Sequence, residues 1–137
     1  MAEFINTSDV VGDDALVDSI IGRSITEYRD KSVTIIGKYA FYMCISLSVV
    51  DIPSVTIIRE KAFTAATNLD TLILRNPTQV ATLENSDALN GTKIATGTGY
   101  IYVPAALISG YQSAANGWSR YASKFRAIED YPAIAGG

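Results

Sequence analysis

The sequence contains no histidine, and this absence excludes more chemistry than any other feature of the chain. Ser-His and Cys-His nucleophile pairs are impossible without it, and the commonest metal ligand of proteins is missing as well. Ser-Lys and paired-carboxylate mechanisms remain open in principle, but no set of residues supports either of them. We therefore predict that the chain is not an enzyme, and that it has no catalytic, metal-binding or cofactor-binding residues.

Cysteine is nearly as scarce, because Cys44 is the only one. No intrachain disulfide can form, so the fold does not depend on an oxidising compartment. The first residues lack a basic stretch followed by an apolar one, which predicts no secretory signal. No apolar run has the length that a bilayer requires. These absences lead us to expect a chain that folds in a cytoplasm and does not insert into a membrane.

Positive charge is also in short supply, since the formal net charge is −3 and residues 1–30 carry seven acidic side chains against two arginines. Without a basic face we predict no nucleic-acid partner. The sequence places three carboxylates close together, at Asp13, Asp14 and Asp18. This pattern is typical of the start of a helix with one solvated face. Residues 97–99 (GTG) lack the Gly-Lys-Ser/Thr of a phosphate-binding loop and indicate a turn.

The chain does contain an internal repeat. Residues 32–36 (SVTII) recur at 54–58, a period of 22 residues, and the same offset maps 47–52 onto 69–74. Phe41 and Phe63 are related in this way, and we predict that both are buried at equivalent positions. The alternating apolar residues of 47–52 and 69–74 favour short strands with one buried face. A single coil cannot bury its own apolar edge, so about three coils must stack.

Residues 33–53 resemble the BspA-type leucine-rich repeat family, whose units read roughly V-T-x-I-G-x-x-A-F-x-x-C-x-x-L-x-x-V-x-I-P. Three further positions of this pattern match: Gly37, Cys44 and Pro53. Residues 55–75 keep the apolar skeleton but depart from it at three positions: Arg59, Ala66 and Arg75. The resemblance covers about residues 24–104. It implies a right-handed solenoid with a parallel sheet on one face, a buried Cys44, and a binding role with no fixed partner.

Parts of further coils flank the two clear repeats. Ile25 and Tyr28 fall one period before Leu47 and Val50. Residues 80–89 imitate 55–63 with one residue inserted, and residues 100–104 (YIYVP) favour another strand. The predicted fold class is α/β, a short leucine-rich-repeat solenoid whose parallel sheet has about four strands, with a helix capping each end. The strands are expected near residues 25–28, 47–52, 69–74 and 100–103.

We expect residues 1–137 to form a single domain. Residues 1–23 would be an N-terminal arm and capping helix, because apolar residues recur at helical spacing over 13–21. The repeats would occupy 24–104. The aromatic segment 105–131 would be the C-terminal cap that seals the last coil, and 132–137 would be a free tail.

Strand alternation predicts which side chains leave the sheet. If Tyr28 and its equivalents point inward, their neighbours form two outward rows. The first row is Glu27, Val49, Thr71 and Tyr100, and the second row is Arg29, Asp51, Ile73 and Tyr102. Two tyrosines, a valine and an isoleucine on an exposed face indicate a binding surface. Two alternatives stay open: the capping segments fold over this face, or Tyr39 and Tyr42 form a second patch.

The resemblance extends to function. The ending Tyr-Ile-Tyr-Val-Pro…Trp…Tyr-Pro is similar to short repeat proteins encoded by phages of gut and Gram-positive bacteria. We therefore expect a bacteriophage virion component, such as a decoration, fibre or baseplate-associated protein, assembled in the host cytoplasm. Its partners would be other virion proteins or further copies of itself, with a host cell-surface glycan or protein as a further class. A bacterial cell-surface or secreted adhesin module is the alternative. Either the N-terminal arm or the outward rows would make the contact.

Overall fold

The structure is a computed structural model that describes residues 10–11, 24–113 and 117–135. Nine short strands lie within these ranges: β1 (Val10–Val11), β2 (Glu27–Arg29), β3 (Ile35–Ile36), β4 (Val49–Asp51), β5 (Ile57–Ile58), β6 (Thr71–Ile73), β7 (Thr82–Leu83), β8 (Tyr100–Val103) and β9 (Phe125–Ala127). Three short α-helices accompany them: α1 (Lys93–Thr96), α2 (Ile108–Gln112) and α3 (Pro132–Ala135). The 3-10 turns are Ser86–Leu89, Ala105–Leu107, Gly117–Lys124 and Ile128–Asp130.

The strands form two parallel sheets on different sides of the coil. One sheet has the order β2-β4-β6-β8-β9, and it places Tyr28, Val50, Leu72 and Ile101 in register. This confirms the four predicted strands, their parallel direction and the period of the repeat. The other sheet has the order β1-β3-β5-β7. The expected count of about four strands was therefore too low, because the five-stranded sheet includes β9 and the second sheet adds four strands of two residues each.

The core lies between the two sheets and is built from the same positions in successive coils. Phe41 and Phe63 are fully buried, and their rings stack with centroids 5.2 Å apart and planes 11° apart. Tyr28 continues the stack, with its ring 5.0 Å from that of Phe41. The prediction that the two phenylalanines occupy equivalent buried sites is confirmed. Cys44 is also fully buried, as the resemblance implied.

A hydrogen-bonded backbone ladder joins the coils on the side between the sheets. The amide of Phe41 donates to the carbonyl of Ala62 at 2.7 Å, and the amide of Phe63 donates to the carbonyl of Ala88 at 2.9 Å. Ala88 therefore stands one coil beyond Ala62, and Leu83 pairs with Ile58 in the second sheet. This confirms that residues 80–89 are a third coil with an insertion.

The C-terminal segment closes the last coil through two aromatic side chains. The Trp118 indole Nε1 donates to the carbonyl of Ala81 at 2.6 Å, and the Ala81 amide donates to the Tyr111 hydroxyl at 2.9 Å. The amide and the carbonyl of Ala81, beside the edge strand β7, thus form hydrogen bonds with side chains rather than with another strand. A Cβ atom on Gly117 would lie only 2.6 Å from the Ser86 nitrogen, so this close approach requires glycine.

Two predictions about the ends of the chain have different outcomes. The capping helix expected over residues 13–21 lies outside the described residues. Residues 132–135 of the expected free tail form α3. There the Arg75 guanidinium Nη2 donates to the Ile134 carbonyl at 2.7 Å.

Candidate functional site

The two predicted rows lie in register on the outward face of the five-stranded sheet. Glu27, Val49, Thr71 and Tyr100 are lateral neighbours, as are Arg29, Asp51, Ile73 and Tyr102. Strand β9 adds Arg126 beside Tyr102 and so extends the second row. All four members of the first row are half-buried. The structure therefore assembles the predicted residues into one face.

The second row is less accessible than predicted. Asp51 is 6 % exposed and Ile73 is 2 % exposed, so these two residues do not present an open surface. The expectation that they face solvent was wrong. The physical reason is that side chains from outside the four strands reach over this row: Arg75 contacts Asp51, and Tyr131 contacts Tyr102.

Asp51 organises a charged cluster in the second row. Its carboxylate accepts three hydrogen bonds from Arg75, from Nε at 3.0 Å and 3.2 Å and from Nη2 at 2.9 Å. Arg29 donates from Nη1 to the same carboxylate at 3.1 Å, and its Nε also donates to Glu27 at 2.9 Å. The predicted neighbourhood of Arg29 and Asp51 is confirmed. Because the carboxylate is buried, its two guanidinium partners are needed to offset its desolvation.

Aromatic and cationic side chains occupy the other end of the face. The rings of Tyr100 and Tyr102 meet edge to face with centroids 6.5 Å apart, and the Tyr131 ring lies 5.0 Å from that of Tyr102. The Arg126 guanidinium lies 4.3 Å from the Tyr100 centroid, and the Lys124 ammonium lies 5.9 Å from it. Within the described residues, Lys124 and Arg126 form no ion pair with a carboxylate. The positive charges of these two side chains are held near the Tyr100 ring by cation–π contacts and are therefore available to a partner.

The environment of Tyr102 favours its neutral phenol over the phenolate. Burial raises its pKa above the ordinary value of 10.0, the nearby Tyr131 and Asp70 raise it further, and Arg126 opposes them. A neutral hydroxyl can both donate and accept a hydrogen bond. The described part of the chain supplies no hydrogen-bond partner to the hydroxyls of Tyr100, Tyr102 or Tyr131. These three groups therefore remain open to a ligand or to solvent.

Arg126 also protects the edge of the sheet. Its Nη1 donates to the carbonyls of Ser123 at 3.0 Å and Phe125 at 2.8 Å. A side chain folded over main-chain acceptors hinders the addition of another strand at β9. We infer that the face of this sheet, rather than its β9 edge, is the better contact surface.

The Tyr39 and Tyr42 patch lies on the segment that connects β3 to β4. Both tyrosines are half-buried, and their rings meet edge to face at 5.3 Å. Lys61 lies 5.8 Å from the Tyr39 centroid. Met43 and Ile45 beside them are 49 % and 44 % exposed. This patch is thus similar in composition to the tyrosine end of the sheet face, but it has fewer cations.

The described ranges contain no group of three or more cysteine, aspartate or glutamate side chains arranged to hold a metal ion. Burial raises the pKa of the Cys44 thiol to about 12, so the thiolate needed for nucleophilic attack is scarce at neutral pH. None of the helices in these ranges has the length and hydropathy of a membrane span.

Three residues of this face escaped prediction from the sequence: Arg75, Arg126 and Tyr131. Arg75 had a usable signal, because it replaces the proline that ends the preceding repeat at Pro53. Tyr131 had a partial signal, because it belongs to the aromatic segment expected to cap the last coil. Arg126 had none, since its place on the face follows from the path of the C-terminal segment and not from the repeat.

Comparisons with known proteins agree with this geometry. The model of the BspA type leucine rich repeat region matches residues 8–99 in six copies. No curated protein and no solved structure gives a match. The matched residues make up more than half of the chain and contain strands β1 to β7 of both sheets. The repeats therefore form a domain of a kind that commonly mediates protein–protein contacts, and the chain belongs to the BspA-type leucine-rich repeat family.

Proposed function

We propose that this chain is a non-enzymatic protein-binding module, and that its working surface is the outward face of the five-stranded sheet. The observation that carries this proposal is the group formed by Tyr100, Tyr102, Lys124 and Arg126. Tyrosine and arginine are enriched where protein interfaces bind most strongly. The candidate binding residues that stay accessible on this face are Glu27, Arg29, Val49, Thr71, Tyr100 and Tyr102, and Arg126 is added to them. The buried Asp51 and Ile73 are no longer among them.

The two ends of the face suit different contacts. Near Asp51 the arginines are already paired with carboxylates, so they offer a partner hydrogen-bond donors in fixed positions rather than an unpaired positive charge. Near Tyr100 the cations have no acidic partner among the described residues, so this end favours a partner that carries carboxylates beside apolar groups. A specific contact should bury more than about 1,000 Å² in total, which requires most of the face.

The proposed place of action is a bacteriophage particle, where the module would hold other virion proteins together or present a surface to the host. The support is the likeness of the ending Tyr-Ile-Tyr-Val-Pro…Trp…Tyr-Pro to short phage-encoded repeat proteins. The alternative is a bacterial surface module, which the family favours because its repeats are often surface-associated. Mass spectrometry of purified particles and of washed cell envelopes distinguishes the two locations.

The binding face is tested by a double variant, Tyr100→Ser with Tyr102→Ser. Its matched control is Tyr39→Ser with Tyr42→Ser, which removes a similar edge-to-face pair from another side of the coil. We expect the first variant to lose attachment to the particle or envelope, and the control to keep it. Thermal melting must show that both are folded. If the first variant attaches as well as wild type, the sheet face is not the working surface.

A further inference from the structure

The second row of the sheet face is partly covered by the chain's own C-terminal segment. Arg75 donates to the Ile134 carbonyl at 2.7 Å, and the Tyr131 ring meets the Tyr102 ring edge to face at 5.0 Å and 79°. In the register, Ile73 lies between Asp51, which holds Arg75, and Tyr102. The two contacts therefore lie on either side of Ile73 in the row, and Ile73 is 2 % exposed.

The receiving side of this contact is held in place by the repeats. Arg75 is oriented by three hydrogen bonds to Asp51, and Asp51 is also held by Arg29. The Arg75 Nη2 atom then donates to a main-chain carbonyl rather than to a side chain. A preorganised guanidinium that recognises main chain suits a peptide segment, because every peptide carries that acceptor. We call Arg75, Ile73 and Tyr102 the latch.

Space remains beside the seated segment. A cavity of about 350 Å³ is lined by residues of the repeat region and of the C-terminal segment, namely Arg75, Pro77, Pro104, Ile128, Glu129 and Ala135. Ala135 of the sequence Pro-Ala-Ile-Ala borders this cavity together with the apolar side chains of Pro77 and Pro104, and the cavity also carries the charged Arg75 and Glu129. The Arg75 guanidinium thus borders both the seated segment and this cavity.

The segment is lightly attached in its present position. Pro132, Ala133 and Ala135 are exposed, and Ile134 is only half-buried. Within the described residues, the bond from Arg75 is the one hydrogen bond that joins residues 132–135 to the repeats. The amides of Ile134 and Ala135 donate instead to the carbonyl of Tyr131, within the C-terminal segment itself. A segment with so few contacts opens at low free-energy cost.

We propose that the latch is a peptide-binding site, and that its ligand in an assembly is the C-terminal segment of a second copy of this chain. Every copy carries both the latch and the segment, so contacts made within one chain are reproduced between two chains. Within one chain, the short connection gives the C-terminal segment an effective concentration near the millimolar range at its own latch. Exchange of segments between two chains therefore requires copies at a comparably high local concentration. The inference deepens the proposed function, since it assigns self-association to the same face.

The first experiment separates the latch from its segment. A ¹⁵N-labelled variant lacking residues 131–137 is titrated with a synthetic peptide of residues 131–137, and a scrambled peptide is the control. We expect saturable shifts at the Arg75 Nε–H and at the amides of Ile73 and Tyr102. A peptide with Tyr131→Ser should bind roughly two- to tenfold more weakly, as loss of one aromatic pair implies. No shift, or equal shifts with the scrambled peptide, overturns the proposal.

The second experiment uses the full-length chain and remains informative if the deletion variant does not fold. Sedimentation equilibrium is measured from micromolar to millimolar concentration for wild type and for Ile134→Pro with Tyr131→Ser. We expect wild type to self-associate at the upper end and the variant to stay monomeric. Equal behaviour of the two overturns the exchange. Neither readout involves the particle or envelope, so failure here is distinguishable from failure of the proposed function.

Discussion

Replacing Phe63 with alanine tests the alignment on which the coils are based. Phe63 is fully buried, its ring stacks on Phe41 at 5.2 Å, and its amide donates to Ala88 in the following coil. The substitution removes the ring while leaving the backbone ladder intact. The perturbation is therefore confined to packing between adjacent coils.

The expected loss is large because both the buried area and the ring contact disappear. A buried phenylalanine truncated to alanine costs about 3–5 kcal/mol, and the stacked pair with Phe41 accounts for about 0.5–1.5 kcal/mol of such an effect. A domain is stable by only about 5–15 kcal/mol in total. Taking about 3 °C per kcal/mol for a chain of this size, the melting temperature should fall by about 10–15 °C.

The measurement is thermal and urea unfolding followed by circular dichroism. Two controls accompany it: Phe63→Leu, which keeps most of the volume and should cost about 1 kcal/mol, and Ile45→Ala at a side chain 44 % exposed. The second control should change stability by less than about 1 kcal/mol. If Phe63→Ala melts within a degree or two of wild type, the two phenylalanines do not share one core and the coil alignment is wrong.

Three further outcomes are expected. Asp51→Ala should cost about 3 kcal/mol in urea unfolding because it leaves two arginines without their buried acceptor. Removing the carboxylate of Glu27, whose side chain is 38 % exposed, should cost less than about 1 kcal/mol, and equal losses would contradict this. Cys44, whose pKa is raised to about 12, should resist an aromatic disulfide reagent until urea unfolds the chain; rapid native labelling would show that it is accessible. Burial raises the phenol pKa values of Tyr111 and Tyr121 above 10.0, so their contribution to stability is complete below pH 10 and is lost as the pH rises through their folded values. Melting temperatures measured from pH 8 to 11.5 should decline only at the alkaline end, and a flat profile would contradict this.

The second sheet was not predicted, although its residues had been identified as a repeat. Strands β3 and β5 have two residues each, Ile35–Ile36 and Ile57–Ile58. Two residues are too few to display an alternation of apolar and polar side chains. The hydrogen bonds that make them strands come from the neighbouring coil, so they form only when the coils are stacked.

The covering of the second row depended on residues far apart in the chain. Arg75, Ile134, Tyr102 and Tyr131 are brought together by the path of the C-terminal segment, and the hydrogen bond from Arg75 to Ile134 spans 59 residues. The repeat pattern predicts lateral neighbours because its period sets the register. It carries no information about a segment that does not repeat, so the burial of Asp51 and Ile73 could not be derived from it.

The sequence by itself determined the coil: its period, its buried phenylalanines, the parallel strands, and the neighbourhood of Arg29 and Asp51. These follow from local rules, because each coil repeats the same apolar spacing and can bury it only against another coil. The tertiary structure alone decided how the last coil is sealed and which part of the sheet face stays open. Those outcomes rest on single long-range contacts, whose energies depend on geometry rather than on residue spacing.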